Sequence, residues 1–497
     1  MKTIAALSFA LLAAAELSAA TIYVDNVKGN DSNDGSKERP VASIEKGLTL
    51  LKRSGRLEVA SNNGKPYRRP YPGVNGKSLD VKVGGTPEQP LVLNGNGAVI
   101  SGLSAVPADR WEKAGDGVYA LPFWPMSNLY KHYHKQDYWL PASRIFFVDG
   151  EPVVNCLSRA EMEKTPGSFW WSRKERKLFF KLPAGKPLES LTVELPANAG
   201  FYVLADHVRI ENFTVILSWN DGFDAAGDPR GVLYRNCVAN NNCGQGFSCL
   251  GSSIVLYEDC VAVRCASSGS CDVHWSNSSY ARCVFLNNIF EGAVAANDNS
   301  AHTYSSCLVV HNEPFEQIWQ NNYSRMFFDN CVIIGNGGTI PLMFLRHGSA
   351  SFRQCTLLNA GILNRGEADN RGTLTIEHSL IGNMGTALMD IPAGMEKRVM
   401  LSGNLYFGSK GFRVAGKLLS PGENPGRFDV NSRWYDGKLS GRLESELPQP
   451  VRQKNASGEM RRIGAALPES VWKNYEKYRK VKTSPAGVTF LPQQKNN

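Results

Sequence analysis

VLYRNCVA (232–239), VLYEDCVA (255–262), MFFDNCVI (326–333) and LTIEHSLI (374–381) are four copies of one phrase. Each is rich in β-branched and aromatic residues and carries a short side chain at the same place, followed by a second short polar–apolar stretch. Cysteine recurs at that place as Cys237, Cys260, Cys283, Cys307, Cys331 and Cys355, at intervals of 23, 23, 24, 24 and 24 residues. The register extends back to Phe213 and forward to Ser379 and, one residue late, to Asn404. A leucine-rich repeat has a period in this range, but its consensus is missing and no half-unit has helical periodicity. The spacing predicts an all-β solenoid, a parallel β-helix. Each coil supplies three short strands, and each strand pairs with its counterpart about 4.8 Å along the stack.

Equivalent residues of successive coils then form columns. The cysteine column is expected inside the coil, as a ladder of buried, reduced thiols filling a narrow core. Cys243 with Cys265, and Cys249 with Cys271, each 22 residues apart, are expected to form two shorter stacks. Metal binding is not expected, because no CxxC pair exists and a column converges on no single point.

The flanks divide the chain further. Residues 1–20 place Lys2 before an apolar stretch and end on small residues, the pattern of a cleaved export signal, which predicts a secreted or periplasmic protein starting near Thr21. Residues 21–104 are expected to hold an N-terminal cap and the first coils, with an amphipathic helix from Val41 to Lys52 behind Pro40. WEKAGDGVY (111–119), RIFFVDGEP (144–152) and GSFWWSRKERKLFFKLP (167–183) read as hairpins of a small β-rich insertion at 105–188. Coils follow at 189–420, and 421–497 form a flanking segment whose basic WKNYEKYRKVK (472–482) is expected to be helical.

These flanks carry a family resemblance. YVDN, GNDSNDGS and SIEKGL within residues 23–48 resemble the opening of bacterial right-handed parallel β-helix proteins of the pectate-lyase-like superfamily. The insertion is similar to the one in β-helical glycoside hydrolases of β-xylosidase-like and α-L-fucosidase-like groups. The resemblance spans residues 21–407 and implies a right-handed solenoid with an N-terminal capping helix, acting on a polysaccharide or glycan. The paired-Asp and Gly-His-Gly motifs of polygalacturonases are not evident.

The formal charge of +9 is unevenly spread: residues 205–393 contain 10 Arg, no Lys and 17 Asp or Glu. Basic residues lie mainly in the flanks, so neither nucleic-acid binding nor membrane insertion is expected. No cofactor is expected, Ca²⁺ entering only if the chain is a lyase.

A catalytic cluster needs different polar groups on neighbouring coils. A step of 24 residues aligns His274, Asp298, Asn322 and Arg346 in one mixed column, flanked by Asp272, Trp275 and His347 on a face taken to point outward. In the preceding turn, Asp221, Gln245, Ser268, Glu291 and Glu316 form a second column. Glycosidic cleavage needs one carboxylic acid and one carboxylate, which nominates Asp272, Glu291, Asp298 and Glu316, with His274, as catalytic. Arg346, His347, Asn322, Trp275, Trp319 and Asp221 are nominated for substrate binding. Three functions remain open: a glycoside hydrolase; a polysaccharide lyase, disfavoured by the acidic coils and their lack of a Lys base; and a non-catalytic glycan-binding solenoid.

Overall fold

The computed structural model describes residues 20–490 except 74–75, 124–145, 173, 289–291, 297–298, 311, 313–315, 322, 337–341, 346, 360–361, 365–371, 383–386, 421–422, 424–427, 435–450, 455–459 and 485–486. The segment read as an export signal lies outside them, apart from its last residue, Ala20. The repeated phrase folds as the first strand of each coil, for example Arg230–Arg235, Ile254–Glu258, Asn277–Ala281 and Ala301–Ser305, and these stack in parallel as sheet A. The residues after each ladder position, such as Val238–Asn240 and Val261–Val263, form sheet B. Phe223–Ala225, Phe247–Cys249, Ser270–Val273, Ala293–Ala296 and Ile318–Gln320 belong to sheet C. Among the described residues the three sheets hold 13, 11 and 12 strands. The chain is a parallel β-solenoid.

The corner between sheets A and B explains the phrase. The residue before each ladder position, including Asn212, Asn236, Asp259 and Asn330, has φ between 48° and 62°. Asn and Asp enter that left-handed region more readily than other non-glycine residues. The corners also bond along the stack: Asn236 Nδ2 donates to Asn212 Oδ1 at 2.7 Å, and Arg282 grips Asp259 with two bonds of 2.8 Å. The next residue turns inward as the ladder cysteine. Cys307 Sγ lies 3.4 Å from Tyr280 O and 3.5 Å from Ser305 O, a weak donor resting on two carbonyls. All eleven cysteines are free and buried, as the period predicts.

The two shorter cysteine stacks do not form. The sheet C register is 23, which pairs Cys249 with Asp272 and Cys271 with Ser248. Cys265 instead joins a column with Asn242 and Asn288, accepting no cysteine partner but donating its N–H to Asn288 Oδ1 at 3.1 Å, while Cys243 packs beside the insertion. Behind the cysteines, Tyr234, Tyr257, Tyr280, Tyr304, Phe328 and Phe352 stack through the core with ring centroids 5.2, 4.4, 4.8, 4.7 and 4.9 Å apart.

The N-terminal helix is shorter than expected, Ile44–Leu50. Val41 bridges to Val24 as extended chain, and Ser43, held by Asp31, caps the helix at Lys46 N. Ile44 and Leu51 join the solenoid core. The insertion opens where Leu103–Ala105 pairs antiparallel with Val193–Pro196. Its core of Trp111, Phe146, Phe169, Trp171 and Phe180 continues onto Cys243 and Ala266 of the coils. The C-terminal helix Glu469–Tyr478 does not close an end; Val471, Tyr475 and Tyr478 cover the apolar outer face of sheet B, on Val261, Val284, Leu308 and Val332. Among the described residues no helix is long and apolar enough to cross a membrane.

Candidate functional site

Side chains alternate along a strand. In sheet C, Phe223, Ala225, Phe247 and Cys249 fill the core, so Asp224 and Ser248 face out. Register extends this outer column from Asp80 through Tyr202, Asp224, Ser248 and Cys271, and onward to Trp319. Sheets A and B have ion pairs or a helix on their outer faces. Sheet C offers the mixed chemistry that a site requires.

The turn entering sheet C adds a second carboxyl. Asp221, three residues before Asp224, accepts the Gln245 N–H through Oδ1 at 2.7 Å. Asp221 and Asp224 are each 6 % exposed. Burial pushes Asp221 up to about 7, against the pull of Gln245 N–H and the Ser248 hydroxyl. Burial and then the Asp221 charge hold Asp224 well above the usual carboxylate range, and Ser248 bonds it as well. Asp224 Oδ1 is buried without a hydrogen-bond partner. A carboxylate oxygen left so is costly unless it takes a proton or meets an incoming hydroxyl. Two adjacent buried carboxyls that resist joint ionisation will hold a proton near neutrality, the condition for acid and base to coexist in one site. Tyr202, beside them, is raised by burial, Asp224 and Asp80.

In the turn entering sheet C, register sets Asp221 beside Gln245 and Gln245 beside Ser268 on successive coils. Glu316 is half-buried on that turn. Glu291, Asp298, Asn322 and Arg346 lie outside the described residues. His274 sits on the bend leaving sheet C, where its Nδ1 accepts the Gly251 N–H at 3.4 Å. Trp275 beside it is 62 % exposed, and two coils on Tyr323, 55 % exposed, stacks on His347 with centroids 5.8 Å apart. His274, Tyr323 and His347 all hold positive φ, which is uncommon for bulky residues. Trp319 lies on the outer face of sheet C. The two sides of the candidate site are thus the acidic turn and this aromatic bend.

Asp272 requires correction. Pairing with Cys249 turns it inward, where it is fully buried. It accepts from Ser278 Oγ at 2.9 Å and from Tyr280 OH at 3.0 Å, and lies 3.4 Å from His302 Nδ1. A polymer cannot reach it. Burial pushes Asp272 up to about 7 and His302 down to about 3. Because the folded Asp272 pKa exceeds its unfolded value, the folded chain binds the extra proton between about 4 and 7, and that stabilisation is lost as pH rises through about 7. The His302 contribution has the opposite sign and lies lower: its depressed pKa makes stability grow as pH rises from about 3 to 6.5. Asp272→Asn is therefore expected to gain on wild type in melting temperature as pH is raised from about 4 to 7, with no further gain above that. Parallel melting curves would instead show that Asp272 keeps an ordinary pKa.

Asp224, Tyr202, Ser248 and His302 escaped nomination. WNDGFD (219–224) held the available signal, two carboxyls three residues apart where a turn enters a strand. Among the described residues no group of three or more His, Cys, Asp or Glu is placed to hold a metal.

No protein-family model matches the chain, and no curated protein matches its sequence. Among solved structures it is similar to the complex of XylC with xylose, at 10% identity and TM-score 0.51, covering 87% of each chain. The fold is the right-handed parallel β-helix. Pectate lyase Pel9A (12% identity, 72% of this chain and 75% of that chain, TM-score 0.45) and a rhamnogalacturonan lyase (12%, 92% and 98%, TM-score 0.46) are also similar to this β-helix.

Proposed function

We propose that this β-helix protein is an exported glycoside hydrolase that cuts a glycan lying on the outer face of sheet C, with Asp221 and Asp224 as the carboxyl pair. The observation that carries this reading is the Asp221–Asp224 pair itself, buried, mutually repelling and raised in pKa, with Asp224 Oδ1 lacking a partner. One carboxylic acid gives its proton to the departing glycosidic oxygen; the other, ionised, acts on the anomeric carbon directly or through water. Ser248, which bonds both, keeps them oriented while the proton leaves. Trp275, Tyr323 and Trp319 offer aromatic faces for sugar rings. Glu316, half-buried before Ile318–Gln320, adds a further carboxyl at the entry to sheet C.

The acidic character of the coils opposes a polyuronate substrate. Neutral, uronate and sulfated glycans, assayed in parallel for new reducing ends and for ultraviolet absorbance of an unsaturated product, test the reading. Reducing ends without the chromophore are expected, on a neutral glycan. Chromophore formation would make the chain a lyase, and binding without any cleavage would make it a glycan-binding solenoid.

A further inference from the structure

The tyrosine stack carries more than packing. Four of its members extend a hydroxyl across the core to sheet C. Tyr234 OH donates to Asp224 O at 2.9 Å, and Tyr257 OH to Ser248 O at 3.0 Å. Tyr280 OH reaches the Asp272 carboxyl at 3.0 Å, and Tyr304 OH lies 3.2 Å from Ser270 Oγ. In the next two coils, Phe328 and Phe352 continue the stack at 4.7 and 4.9 Å without hydroxyls. Stacking therefore does not need the hydroxyl, and a buried hydroxyl is costly unless it bonds. In the coils behind Asp224 and Ser248 it is present and its partner is the backbone of those two residues.

We infer that Tyr234, with Tyr257 one coil along, is a positioning residue for the acid pair, fixing from inside the coil the strand segments that present Asp224 and Ser248 outside. Tyr234 is completely buried, so it touches no substrate and acts only through Asp224. Its hydrogen bond sets where the Asp224 main chain lies, and with it the distance from the Asp224 carboxyl to Asp221 and Ser248. The inference rests on the proposed role of Asp224.

The test compares Tyr234→Phe, Tyr304→Phe and Asp224→Asn with wild type on the glycan that the panel selects. Each Tyr→Phe change removes one buried hydroxyl and leaves the stack; the Tyr304 bond ends on Ser270, inside the core. Tyr234→Phe is expected to lower kcat about tenfold, the worth of one hydrogen bond. KM should stay within about twofold, and the pH profile of kcat should shift as the Asp221–Asp224 spacing relaxes. Tyr304→Phe should keep wild-type kcat and pH profile. Equal losses in the two Tyr→Phe variants, or an unchanged kcat and pH profile in Tyr234→Phe, would overturn the positioning role while loss of turnover in Asp224→Asn leaves the site intact. Full turnover in Asp224→Asn would remove the site itself, and the inference with it.

Discussion

Asp224→Asn is expected to fold normally and to lose turnover by roughly 1,000-fold, within the range ascribed to a single positioned acid or base. The amide matches the carboxyl in shape, so the outer column from Tyr202 to Ser248 keeps its register. What disappears is the group that shares a proton with Asp221. With the partner carboxyl gone, Asp221 keeps the raised pKa that burial gives it, and the rate that remains should follow a single ionisation instead of the two-limbed profile of a coupled pair. Stability should hold or rise, because a buried carboxyl that repels its neighbour is replaced by a neutral amide. kcat, a thermal melt and the pH–rate profile of the same preparation check all three; wild-type kcat in a folded Asp224→Asn would remove Asp224 from the chemistry.

The largest stability loss is expected from Tyr280→Ala. Tyr280 is 1 % exposed, lies between Tyr257 and Tyr304 at 4.4 and 4.8 Å, and bonds Asp272. Truncation removes an aromatic ring from a close-packed column, at roughly 3–5 kcal/mol, and leaves Asp272 with a lost donor in the core. A solenoid is stabilised coil by coil through its neighbours, so the loss should loosen the coils on both sides together. Tyr280→Phe keeps the ring and forfeits only the hydrogen bond. Denaturant midpoints for the two variants separate the contributions; equal, small shifts would mean that the stack carries little of the stability.

The architecture was readable because the ladder positions tolerate few side chains. From Cys237 to Cys355 the corner holds a left-handed residue and then a small inward one; the inward demand is written into every coil as Cys, and the corner is Asn or Asp at 236, 259 and 330 and Arg282, Ser306 or Gln354 elsewhere. The site was harder to read because the bends around sheet C vary in length. Val273 pairs with Ala296 at an offset of 23, while Asn277, four residues later, pairs with Ala301 at 24. Ala293 then pairs with Ile318 at 25. Counting at a fixed step preserves a ladder but cannot place a residue on a bend, and the same one-residue slip turned Asp272 inward and separated Cys249 from Cys271. Asp224 was passed over because its importance lies in burial and in the proximity of Asp221, neither of which shows as a spacing.

Co-crystallisation of Asp224→Asn with the glycan that wild type cleaves would locate the bond to be broken. The glycosidic oxygen is predicted to lie against residues 221 and 224, with neighbouring sugars directed toward the bend that carries Trp275 and Tyr323. A glycan seated on sheet A or sheet B, or on sheet C with its linkage beyond reach of both positions, would contradict the assignment of the acid pair as the place where the chain is cut.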